Sequence, residues 1–183
     1  MADSRTRKTR RSIRDGLLRL LEQEPLSRIT VAELAAEASV SRSTFYSHYP
    51  NTQAVFRELV EEFLGQTRSL PAQMRCSVCP SEGNTFAPFC MRLREEGPWR
   101  PLISDPLFLP TLLEAMESGP VAAGLEAYRS LGLGEEEARA LYRFQMTGCY
   151  AVALAHGGRE GWEPIQSALD TFIRGGLGAL RSR

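Results

Sequence analysis

The stretch ITVAELAAEASVSRSTFYSHYPNTQAVF, residues 29–56, decides how the chain is read. Thr30 and Glu33 open it as a T-x-x-E pattern, in which a hydroxyl and a carboxylate satisfy free backbone donors at a helix start. Val31, Leu34, Ala35 and Ala38 give this helix a narrow stripe of mostly small apolar side chains, which permits close helix contact. After a short Ser39-Val40 turn, Ser41 is placed to cap a second helix, which Pro50 ends. Phe45 and Tyr49 are its inward residues. The others, Arg42, Ser43, Thr44, Tyr46, Ser47 and His48, are rich in hydrogen-bond donors and offer a core little. Asn51 caps a further helix, where Val55, Phe56, Leu59, Val60, Phe63 and Leu64 recur at helical spacing as far as Gly65.

Outward from this stretch, Thr9 to Glu24 reads as an amphipathic helix with Ile13, Leu17, Leu18, Leu20 and Leu21 on one side, stopped by Pro25. The 183 residues carry no net charge, 43% are hydrophobic and 24% charged, an ordinary globular balance. Attraction to nucleic acid must therefore come from uneven charge. Residues 1 to 19 are uneven in that sense: Arg5, Arg7, Lys8, Arg10, Arg11, Arg14 and Arg19 face only Asp3 and Asp15. No apolar run approaches a membrane span, and the charged start lacks the unbroken apolar stretch of an export signal. The expected location is cytoplasmic, with no membrane partner.

Two short helices joined by a tight turn, the second polar and the first lined with small residues, form a helix-turn-helix. The second helix suits the major groove, where Arg bonds guanine and Ser, Thr, Tyr or His bond base edges or phosphates. The first presents free N–H groups and a positive dipole end to a phosphate at Thr30. Residue class by residue class, Ile29 to Phe56 resembles the DNA-binding segment of the TetR family of bacterial regulators: Thr-Val, two small residues, Val-Ser, Thr-hydrophobic-Tyr, His-aromatic-Pro, then a capped helix. The resemblance implies double-stranded DNA as partner and a set of contacts. Thr30 would bond a phosphate, and Arg42, Ser43 and Thr44 would stand at the N-terminal part of the recognition helix, with Arg42 reading a base. Tyr46 and His48 would touch bases or backbone, Tyr49 would be part core and part phosphate-facing, and Phe45 would support the helix from behind. Two positions depart from the family's pattern: Ser39 stands where a glycine usually tolerates positive φ, and Thr52 where a lysine commonly grips a phosphate.

From Gln66 to Gly83 no sustained periodicity appears, and helical segments follow around 85–95, 107–117, 120–131, 135–156 and 163–181. With no convincing strand, the expected fold is all-α with about nine helices: an N-terminal three-helix DNA-binding domain (1–50, including a basic arm) and a helical regulatory and dimerisation domain (51–183). The last two helices are candidates for a homodimer interface through Leu141, Phe144, Ala151, Leu169, Phe172, Ile173 and Leu177, with Gly148, Gly175, Gly176 and Gly178 allowing close approach. The same pattern also fits an intramolecular core face. The resemblance implies the interface, since TetR-like regulators generally pair their final two helices. It also implies an effector pocket, for which Phe86, Phe89, Met91, Trp99, Phe108, Leu112 and Met116 are candidates toward a small apolar or aromatic molecule; plain core is the other reading.

Cys76 and Cys79 form a single C-x-x-C, with Cys90 and Cys149 further on. One such pair is too few ligands for a closed zinc site, so reduced thiols, a metal site and a redox switch all stay open, and neither a metal nor another cofactor is expected. An enzyme is not expected either: residues 84–183 contain one histidine, no phosphate-binding glycine loop and no paired acid motif. The expected function is a sequence-specific transcriptional regulator, a dimeric repressor released from a palindromic operator by a small effector. The alternatives are a helical protein-interaction module and a thiol- or metal-responsive regulator using Cys76 and Cys79.

Overall fold

A computed structural model describes residues 2–66, 89–94, 97–118, 125 and 128–181. The described residues form helices and no strand. In chain order the helices are α1 (Ala2–Leu21), α2 (Val31–Glu37), α3 (Arg42–Tyr46), α4 (Thr52–Gln66), α5 (Phe89–Arg94), α6 (Arg100–Ser104), α7 (Phe108–Ser118), α8 (Glu135–Ala155) and α9 (Trp162–Arg181). The all-α expectation with an N-terminal helix-turn-helix holds. Two compact units divide the chain, one of residues 1–66 with 97–112 and one of residues 67–96 with 113–183.

The first unit is built on α1, which packs against α2, α4 and α6. Its apolar residues Ile13, Leu17 and Leu21 are buried, as are Leu34 and Ala35 of α2, Phe45 of α3, and Val55, Phe56, Leu59 and Val60 of α4. Helices α1 and α2 approach closely at Gly16, where an added Cβ would sit 3.4 Å from the Ala38 nitrogen and 3.5 Å from Leu34. The turn after α1 is pinned by buried Asp105, whose carboxylate accepts from the N–H groups of Leu26 and Leu107, both at 2.8 Å. Phe63 meets Trp99 and Phe108 edge to face, at 5.9 and 5.6 Å between ring centres.

Helix α1 begins at Ala2, seven residues before the amphipathic pattern does, and ends at Leu21 instead of Glu24. The extension has no Gly or Pro, and its residues 4–8 are exposed, so no core face gives it a period. The early end follows from Pro25, which disfavours helical backbone at Glu24, so the chain leaves through the turn bonds Glu22 N–H to Arg19 and Gln23 N–H to Leu20.

In the second unit α5 packs on α8. One face of α8, carrying Ala138, Tyr142, Met146, Tyr150 and Ala153, is buried. Arg94 of α5 lies 4.3 Å over the Trp162 ring and donates to the carbonyls of His156 (3.2 Å) and Arg159 (2.9 Å), tying down the turn that leads into α9. A different face of α8, with Leu141, Phe144, Gly148 and Val152, joins Leu169, Phe172, Ile173 and Leu177 of α9 to line an apolar groove of about 440 Å³. The expected helix at 120–131 falls mostly outside the described residues.

Candidate nucleic-acid interface

Local hydrogen bonding builds the helix-turn-helix from both ends. At the start of α2 the Thr30 hydroxyl accepts from the Glu33 N–H (3.2 Å), while the Glu33 carboxylate accepts from the Thr30 N–H (2.8 Å) and hydroxyl (2.6 Å). These bonds, the one from the Thr30 hydroxyl first, hold the Glu33 carboxyl below its usual range. At the other end Val40 N–H bonds the Ala35 carbonyl (2.9 Å) and Ser39 N–H the Ala36 carbonyl (3.0 Å), a Schellman closure with Ser39 at φ +55°. A residue in that left-handed position is glycine in most such closures.

Ser41 caps α3, accepting from the Thr44 N–H at 3.1 Å, and its hydroxyl lies 2.8 and 2.9 Å from those of Thr44 and Ser43. Five residues of regular helix follow, and the turn continues through Tyr49 N–H to the Phe45 carbonyl at 2.9 Å. Phe45 is fully buried and anchors the helix; its ring meets Tyr46 edge to face at 5.8 Å and Tyr49 at 6.0 Å. The opposite face is open: Arg42, Ser43 and Ser47 are exposed, Thr44 and His48 half-buried, and Tyr46 is 57% exposed. Thr30 is exposed at the start of α2 on the same short unit.

Tyr49 sits apart from this surface. Its side chain is 3% exposed, with the Arg10 guanidinium 4.5 Å over the ring. The hydroxyl lies near Glu58 without reaching hydrogen-bond geometry among the described residues, and burial, with the Glu58 charge second, pushes it up to about 12. Thr52 is also buried, its hydroxyl 3.4 Å from the Gln53 side chain, while Asn51 caps α4 through the Ala54 N–H at 2.8 Å. The position where the family's lysine would grip a phosphate is thus turned inward.

The basic N-terminal segment is partly neutralised. Arg10 pairs with Glu58, Arg14 with Glu58 (3.3 Å) and Glu62 (2.8 Å), Arg19 with Glu37, and Arg11 with Asp15 (3.7 Å). Sequence reasoning missed these carboxylates as partners. Glu58 and Glu62 stand one turn apart on α4, but nothing short of the packed structure says that α1 lies beside them.

Of the candidate effector residues, Trp99 and Phe108 both pack on Phe63, and Leu112 and Met116 are fully buried. Phe89 and Met91 belong to α5, and Phe86 lies outside the described residues. Cys76 and Cys79 lie outside them too. Among the described residues no group of three His, Cys, Asp or Glu side chains is placed to hold a metal ion. No described helix is long and apolar enough to cross a membrane.

Residues 13–59, which contain the helix-turn-helix, match the family model of the bacterial regulatory proteins of the tetR family. Over these residues the chain carries the N-terminal domain of that family. Among curated proteins, the nucleoid occlusion factor SlmA of Shewanella frigidimarina is 41% identical over 61 residues, 33% of this chain and 31% of that protein. The HTH-type transcriptional regulator EthR of Mycobacterium tuberculosis is 43% identical over 47 residues, 26% of this chain and 22% of that one. The chain thus spans about a third or less of the length of these curated relatives. The crystal structure of the TetR family repressor AlkX from Dietzia sp., implicated in biodegradation of n-alkanes, aligns over 94% of this chain and 96% of its own at 21% identity and a TM-score of 0.44.

Proposed function

We propose that the protein is a dimeric, sequence-specific transcriptional repressor acting in the cytoplasm, which leaves a palindromic operator when a small apolar or aromatic effector binds. The observation that carries the DNA reading is α3 with the turn after it: a helix held from behind by a fully buried phenylalanine while its open side presents Arg42, Ser43, Thr44 and Tyr46, and the turn His48. In contrast to Arg10, Arg14 and Arg19, Arg42 has no carboxylate partner among the described residues and is available to a guanine. Thr30 reaches a phosphate by turning its hydroxyl away from Glu33, and the free N–H groups of α2 add to that contact.

A single module of this size gains affinity by pairing on two half-sites. The groove between α8 and α9 supports such pairing, because Phe144 and Phe172 are 67% and 68% exposed beside it. Gly148, Gly175, Gly176 and Gly178 have open space where a Cβ would stand, so packing within one chain does not require them. An effector acts by favouring the conformation that does not fit the operator, and its influence is limited by its difference in affinity for the two states.

Selection of bound duplexes from a random pool at two salt concentrations tests the reading. Enrichment of a palindrome is expected, and a pool that stays random overturns it. Arg42→Ala then lowers affinity for the selected duplex by about 1–3 kcal/mol and relaxes its sequence at one position.

A further inference from the structure

Between the recognition helix and the core of the first unit lies a chain of alternating charges. Tyr49, whose ring packs on Phe45, is covered by the Arg10 guanidinium at 4.5 Å. Arg10 is ion-paired to Glu58, Glu58 also to Arg14 at 3.3 Å, and Arg14 to Glu62 at 2.8 Å. The side chains of Arg14, Glu58 and Glu62 are only 24–33% exposed. Pairs of this kind add little to stability when partly exposed. What a planar guanidinium fixed at once to a ring and a carboxylate does supply is orientation. One carboxylate of α4 thereby sets two arginines of α1, and one of these sets the residue that closes the recognition helix.

The same carboxylates sit in a unit whose proposed ligand is a polyanion. Placing Glu58 and Glu62 among the arginines reduces the pull on phosphates in general. Such an arrangement gives up non-specific attraction and keeps the reading surface in register.

We infer that Arg10 and Glu58 are positioning residues for DNA recognition: Glu58 holds Arg10 over Tyr49, and this stack fixes α3 against α1 and α4, so that selectivity for the operator depends on two side chains that need not touch it. This inference rests on the DNA-binding reading above. The rival role for Arg10 is a direct phosphate contact, for which a lysine is an adequate point charge. Lysine neither stacks on a ring as guanidinium does nor offers its fork to a carboxylate.

The test measures binding of the wild type, Arg10→Lys, Glu58→Gln and the double variant to the selected duplex and to a random duplex across a salt series. Measurements are made at a temperature where circular dichroism shows each variant fully folded, which removes effects of stability alone. Each single variant is expected to lower the ratio of selected to random affinity roughly tenfold, and the double variant no further, as for two residues in one network. Glu58→Gln should also tighten random DNA, since it removes a negative charge. Wild-type selectivity in Arg10→Lys overturns the inference, and so do losses that add in the double variant. Should Glu58→Gln fail to fold, Arg10→Lys decides by itself. A wild type that selects no duplex overturns the DNA reading itself and takes this inference with it, whereas a selective wild type matched by its variants overturns this inference alone.

Discussion

Ser39 holds a φ of +55° in the turn between the two helices of the helix-turn-helix. A side chain there crowds its own backbone at a cost of roughly 1–2 kcal/mol, part of which glycine gives back as chain entropy. Ser39→Gly is therefore expected to stabilise the protein by about 0.5–1 kcal/mol, read as a higher urea midpoint with an unchanged denaturant slope. Tyr49 makes a different point. Its buried hydroxyl lacks a hydrogen-bond partner among the described residues, and an unmade bond of this kind costs about 1–3 kcal/mol. Tyr49→Phe should leave affinity for the selected duplex unchanged and stability equal or higher; a loss of affinity would mean that the hydroxyl reaches a phosphate. The Ser39 strain was implied by the resemblance, because a serine stands where the family usually has a glycine. The inward turn of Tyr49 was legible too, but not its lid, which is an arginine 39 residues away.

At the scale of the element, the caps carry the most information. Thr30 with Glu33, Ser41, and Asn51 each act on backbone donors within three residues, so they are legible locally and the structure places them as read. The start of α8 adds an ion-pair cluster with a longer reach. Glu135 accepts from Arg129 at 2.7 and 2.8 Å and from Arg139 at 2.9 Å. These bonds, Arg129 first, hold its carboxyl at about 2, below the ordinary 4.5. A carboxyl depressed on folding contributes stability that is complete above pH 4.5 and is lost as pH falls toward 2. Arg129→Ala should move the Glu135 titration up toward 4.5, followed by the carboxyl carbon signal in NMR, and shift the acid loss of α8 stability to higher pH. No change in that titration would show that the pair is not formed in solution.

For the whole molecule the decisive feature is the uncovered apolar groove of the second unit. Exposed phenylalanines lining one groove are what the proposed dimer would cover, and a phenylalanine buries roughly 150–250 Å² when covered. Phe172→Glu, or Phe144→Arg, is expected to turn a dimer into a monomer in sedimentation experiments and to reduce binding to a full palindrome far more than to a half-site. Helical content should hardly change, because neither ring lies in the core of its own chain. A variant that remains dimeric would show that the groove faces something else.

By itself the sequence determined most of the helices, their caps and the donor-rich face of α3, because each follows from neighbours within four residues or from a helical period; α6 and the first turns of α1 carry no such period, and the positive φ at Ser39 was implied by the family resemblance. Only the tertiary structure decided how the charges are spent. Arg10, Arg14 and Arg19 read along the chain as a basic arm, and folding returns three of its charges to Glu58, Glu62 and Glu37. Which carboxylate meets which arginine depends on how α1 crosses its neighbours, and a crossing between helices leaves no period in the sequence.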